Sequence, residues 1–116
     1  MDITAVTVGI PVRDLIAATA WYRAALDLDE PDLEPLEGLV EFDLGRVWLQ
    51  LARDPEHAGS AGVSVNLSVT DAAAEHARFA GLGLDVSDIQ RFEGVVEFFE
   101  LTDPDGNKLG FVTELS

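Results

Sequence analysis

Apolar residues at Val6, Val8, Ile10 and Val12 alternate with Thr7, Gly9 and Pro11, a period-2 pattern that predicts a strand with one buried face. Asp14 follows as a candidate N-cap. After it, Leu15, Ala18, Trp21, Tyr22, Ala25 and Leu26 recur at the spacing of one helical face. Trp21 and Tyr22 fall on that stripe and read as packing residues. Residues 29–35 carry Pro31 and Pro35 among acids, so a strand there is expected to be short and at an edge. Residues 39–44 and 47–51 flank Gly45 and predict a β-hairpin.

The same order then returns. A strand at 63–69 leads through Asp71 to a helix at 72–80, and strands are expected near 85–91, 95–101 and 109–114. Residues 6–14 (VTVGIPVRD) align with 63–71 (VSVNLSVTD) at an offset of 57, which Tyr22 and Phe79 keep. Residues 24–29 align with 80–85, and Val40-Glu41-Phe42 with Val96-Glu97-Phe98, both at an offset of 56. Each match carries little information singly, but all of them are collinear, which is the mark of an internal duplication. The expected fold class is α+β, two βαβββ modules forming a curved, mostly antiparallel sheet with helices outside. The modules occupy about 1–53 and 63–116, with residues 54–62 as linker, within one domain.

Three stretches carry a resemblance: Ile10-Pro11-Val12-Arg13-Asp14-Leu15, Trp21-Tyr22-Arg23-Ala24-Ala25-Leu26 and, most specific, Asp103-Pro104-Asp105-Gly106-Asn107. The last is an ordinary turn by itself. Placed near the end of a duplicated βαβββ chain, it makes the sequence resemble the vicinal-oxygen-chelate superfamily of glyoxalases, bleomycin-resistance proteins and extradiol dioxygenases along nearly its whole length. That resemblance implies a cup-shaped sheet, commonly completed by a second chain. In metal-dependent members His and Glu side chains on the inner face hold a divalent ion. Carried over one at a time, those positions fall on Thr7, Gln50, Ser64 and Gly110. None supplies an imidazole or a carboxylate, so no metal and no cofactor are expected. His57, in the linker, and His76, on the second helix, read as surface residues rather than ligands.

Strand parity gives a separate expectation for the inner face. If Leu44-Gly45 is the hairpin turn, Asp43 opposes Arg46 and the inner face carries Glu41, Trp48 and Gln50. The first strand of the second module adds Ser64 and Asn66. By the repeat, Glu97 and Phe99 join them, along with Lys108 and Gly110. The candidate ligand-binding set is therefore Glu41, Trp48, Gln50, Ser64, Asn66, Glu97 and Phe99. Aromatic faces with carboxylates suit a planar or cationic organic ligand.

Composition narrows the function classes. The 116 residues suit one domain, and 47% hydrophobic content with six Phe and two Trp supports a core. With no Cys, a disulfide scaffold, a thiolate metal site and a cysteine nucleophile are excluded. A net charge of −15 opposes nucleic-acid binding and favours cations. No apolar run suits a membrane span and the start lacks signal-peptide features, so a cytoplasmic location is expected. The first functional expectation is a metal-free binding protein similar to bleomycin-resistance proteins, sequestering a cationic or aromatic ligand as a homodimer. Two alternatives stand beside it: a non-catalytic partner protein with a closed cup, and a metal-independent isomerase or lyase using Glu41 or Glu97 as base.

Overall fold

The computed structural model describes residues 2–60 and 65–115. The chain divides into two compact units, 1–59 and 60–116. Among the described residues the architecture is α+β, with two helices and eight strands.

Unit 1 opens with β1 (Thr7–Val12) and α1 (Leu15–Leu26). The Asp14 carboxylate accepts from the Ala17 backbone N–H at 3.1 Å, the capping role its position predicts. The helix ends at Asp27, whose φ of 54° turns the chain out of the helix, and Arg23 bridges forward to Glu30 at 3.1 Å. Strands β2 (Leu39–Asp43) and β3 (Trp48–Arg53) form the hairpin, and the sheet order is β1-β3-β2, with β1 parallel to β3. The proline-bearing segment 29–35 contributes a single bridge, Leu33 to Glu41.

The hairpin register differs from the expected one. The turn spans Leu44 to Val47, closed by the Leu44 N–H on the Val47 carbonyl and by the Gly45 N–H on Asp43 Oδ1 at 2.8 Å. Gly45 holds a φ of 94°, which a side chain would resist. Asp43 therefore opposes Trp48 rather than Arg46, and Arg46 lies in the turn. The longer turn shifts the register by two residues, so each side chain keeps the face that parity assigns it. Residues 54–59 fold back onto unit 1: the Asp54 N–H bonds the Val12 carbonyl, and Arg13 reaches the Ala58 carbonyl.

Unit 2 repeats the plan with two further strands. It comprises β4 (Val65–Ser68), α2 (Ala72–Gly81), β5 (Asp85–Val86), β6 (Gln90–Phe92), β7 (Val96–Thr102) and β8 (Lys108–Glu114). The sheet order is β4-β8-β7-β5, with β6 also paired to β7. Asp71 caps α2 through the Ala74 N–H at 3.1 Å. The Thr113 hydroxyl accepts from the Ala72 N–H and donates to the Val69 carbonyl, fixing the start of α2 to β8. The expected strand at 85–91 is two short pieces, because the chain leaves the sheet between Val86 and Gln90.

Each helix covers one face of its own sheet. In unit 1, Tyr22, Phe42, Leu51 and Val12 are fully buried. In unit 2, Phe79 of α2 meets Phe99 and Phe111 edge-on, with ring centroids at 5.9 and 5.1 Å. Phe99 and Phe111 stack on each other at 5.3 Å. His76 is not the surface residue its helix position suggested. It is half-buried, its ring lies edge-on to Phe99 at 5.0 Å, and its Nε2 meets the Ser87 carbonyl at 2.8 Å. His57 is exposed beside Asp54 at 2.9 Å.

Candidate functional site

The helix-free face of each sheet is organised by one rung of cross-strand partners. In unit 1, Gly9, Gln50 and Glu41 lie side by side on β1, β3 and β2. The Gln50 Nε2 donates to Glu41 Oε2 at 3.1 Å, and both residues are half-buried. The Gln50 Oε1 swings toward Gly9, where an added Cβ would stand 3.2 Å from it. Trp48 is two residues from Gln50 and so shares its face, between Thr7 and Asp43. The structure therefore brings Glu41, Trp48 and Gln50 together on the face that parity assigned them.

In unit 2 the corresponding rung is Asn66, Gly110 and Glu100 on β4, β8 and β7. The amide and the glycine have exchanged strands. Here the Asn66 side chain lies directly over Gly110, so close that a Cβ at Gly110 would collide with Asn66 Oδ1. A pocket of about 280 Å³ opens beside this rung, lined by Asn66, Phe98, Glu100, Gly110 and Val112 and backed by Phe99 and Phe111. Phe98 stacks on the exposed Phe92, with centroids 5.8 Å apart and planes 17° from parallel.

Glu97 and Phe99 do not share this face, which corrects the expected inward placement. Phe99 is 1% exposed and packed under α2. Glu97 lies on the same side of β7, opposite Thr113, where Arg91 approaches it at 3.4 Å. Arg91 also binds Glu93 at 2.7 Å, and the hydrogen bond and charge of Glu93, with a smaller part from Glu97, raise the guanidinium pKa above its ordinary value. The residues that reasoning from the repeat missed are Phe98 and Glu100. Counting back from the Asp103–Asn107 turn would have found them, since Thr102 opposes Lys108 and so Glu100 opposes Gly110. Ser64 lies outside the described residues.

The turn itself is structural. The Asp103 carboxylate, buried, accepts from the backbone N–H groups of Asp105 and Asn107 and from Asn107 Nδ2 at 2.8–2.9 Å. That closed set of bonds holds β7 and β8 in the register that builds the unit 2 rung.

A family profile described as "Glyoxalase-like domain" matches residues 5–112. The chain belongs to the glyoxalase-like family. Among solved structures, this glyoxalase-like chain is similar to the glyoxalase / bleomycin resistance protein from Catenulispora acidiphila DSM 44928, at 30% identity over 94% of this chain and 96% of that one, with a TM-score of 0.79. It shares its fold with TnmS3, an antibiotic binding protein from Streptomyces sp. CB03234, at 21% identity over 98% of both chains and a TM-score of 0.81. It also shares it with the fosfomycin resistance protein FosX from Listeria monocytogenes, at 15% identity over 97% and 93% and a TM-score of 0.76. No curated protein matches the chain.

The residues at the positions where the superfamily resemblance puts metal ligands do not fit a divalent ion. Gly110 offers no side chain, and the space a ligand would need there is taken by Asn66. Gln50 brings only a neutral amide oxygen, a weaker donor to a first-row ion than the carboxylate expected at its position. Thr7 brings a hydroxyl, a poor donor for a first-row ion beside imidazole or carboxylate. Among the described residues no group of three or more His, Cys, Asp or Glu stands close enough to hold a metal.

Proposed function

We propose that this glyoxalase-like chain is a metal-free, cytoplasmic small-molecule-binding protein that takes an antibiotic-like organic ligand, aromatic or cationic, and acts as a homodimer. One observation carries the reading. At the two β-strand positions where a metal carboxylate is expected, the chain has an amide tied to Glu41 and a glycine covered by Asn66. Aromatic rings, amides and carboxylates lie on these faces, with Lys108 beside them in unit 2, and the rings and carboxylates stack on and pair with organic cations. The likeness to an antibiotic binding protein and to a protein named for bleomycin resistance supports the same ligand class. The homodimer is argued from β1 and β4, each at the end of its own sheet, since a sheet edge calls for pairing or cover and a second copy would supply it.

Thermal unfolding in parallel wells of a bleomycin-type drug, a cationic dye, zinc, nickel and manganese tests the reading. A ligand present at about 100 times its Kd adds about 2.7 kcal/mol. For a domain of this size that is a shift on the order of 10 °C. Stabilisation by a cationic aromatic without stabilisation by the metals is expected. A large shift with a metal alone would sink the metal-free reading.

A further inference from the structure

We infer that unit 1 carries a recognition site of its own for an organic cation bearing N–H groups (a protonated amine, an amidinium or a guanidinium), bound by the Glu41 carboxylate and the Gln50 carbonyl oxygen above Gly9. The inference rests on the small-molecule-binding reading and narrows its ligand chemistry.

The argument begins with the direction of one hydrogen bond. An ionised carboxylate only accepts, so Gln50 must turn its NH₂ group to Glu41. The amide is then committed, and its carbonyl oxygen points to the Gly9 side of the rung. Among the described residues, Glu41 Oε1 receives no hydrogen bond. The pair thus offers two acceptor oxygens, one of them charged, against the one N–H that Gln50 Nε2 keeps beyond its bond to Glu41. Such a surface discriminates against carboxylates, phosphates and other anions, and it rewards a ligand that brings donors with positive charge.

The surroundings have the same sign. Of the residues that β1, β2 and β3 place on this face, Glu41 and Asp43 are the charged ones, and both are acidic. Both members of the Glu41–Gln50 pair are half-buried, so their field is less screened than that of the fully exposed acids. Trp48, on the same face of β3, supplies a ring for the ligand's flat or cationic portion. Gly9 is part of the site because a Cβ there would press on Gln50 Oε1 at 3.2 Å. The equivalent rung in unit 2 also has a ring beside it, Phe98, but differs in its amide and in its charge. Its amide covers the glycine, and Lys108, bonded to Thr102 Oγ1 at 3.1 Å, brings a cation to the same face. The N–H cation is therefore assigned to unit 1.

Two probes of equal charge separate hydrogen bonding from simple attraction: benzamidine, with four N–H bonds, and phenyltrimethylammonium, with none. Titration of each into the full chain, followed by NMR of the Gln50 side-chain amide and the Trp48 indole N–H, reads the site directly. Benzamidine should move both signals and bind at least about tenfold more tightly than phenyltrimethylammonium, as charge-assisted bonds require. Glu41→Gln should weaken benzamidine at least about tenfold, Gly9→Ala should weaken it in the same direction, and Glu100→Gln should change it by less than about twofold. Equal binding of the two probes would overturn the inference. So would benzamidine shifts centred on Asn66, or a loss on Glu100→Gln that matches the loss on Glu41→Gln. Those outcomes leave the small-molecule-binding reading standing, whereas failure of these probes together with the drugs and dyes removes both.

Discussion

Two glycines and two amides distinguish the rungs of this chain, and their contacts are close enough to be energetically legible. Gly110 accommodates the Asn66 side chain only because it has no Cβ. Gly110→Ala is therefore expected to destabilise the protein by about 1–3 kcal/mol, the usual cost of forcing a methyl group into occupied space. Shortening the neighbour should relieve it: Asn66→Ala with Gly110→Ala should cost less than the sum of the single changes, a coupling that a urea-denaturation double-mutant cycle measures. Strict additivity would mean that Asn66 does not occupy that space in solution. The contact at Gly9 is looser, 3.2 Å to the end of a flexible side chain, so Gly9→Ala should cost less than Gly110→Ala. At this scale the sequence was only partly readable. Gln50 and Glu41 came from parity, because Val40 and Phe42 mark the buried face without ambiguity. Phe98 and Glu100 did not, because adjacent Phe98 and Phe99 put an aromatic on both faces of β7, and hydrophobicity then has no parity to offer.

Helices and strands were far more legible than contacts, for a physical reason. Asp14 and Asp71 cap their helices where the pattern put them, and the apolar alternation of β1, β2 and β3 assigned their faces. Register, by contrast, is set by turns. The Leu44–Val47 turn is longer than the two-residue one expected, and the pairing of β2 with β3 moved accordingly. In unit 2 the turn is stricter, because the buried Asp103 carboxylate accepts three hydrogen bonds within it. Asp103→Ala strands those donors at a buried site and should cost about 3 kcal/mol. For a chain of this size that lowers the Tm by roughly 10 °C. Its functional consequence is also predicted: the Glu100–Gly110 rung depends on this register, so the Gly110 and Glu100 amide signals should shift more than those of Glu41 and Gln50. A variant that loses little stability and leaves those signals in place would show that strand pairing, not the turn, sets the register.

The net charge of −15 acts on the molecule in two opposed ways, and salt separates them. Crowding 22 acids against 7 bases on one small surface stores repulsion that screening relieves. Raising ionic strength from about 0.01 to 0.15 M shortens the Debye length from about 30 to 8 Å. The Tm of the free protein should therefore rise across that range. Association of two like-charged copies is penalised by the same repulsion, so if the proposed homodimer forms, sedimentation should show its fraction rising with salt as well. Binding of an organic cation should move the other way, because the attraction that draws it in is screened by the same ions. Half-buried Glu41, bonded to Gln50, is screened less than the exposed acids and retains part of its effect. A cation held by the Glu41–Gln50 pair should thus lose affinity with salt but keep a residue of binding at 0.5 M that Glu41→Gln abolishes. If affinity instead falls to nothing at that salt in the unaltered chain, the diffuse acidic surface is the attractant, and the rung is not.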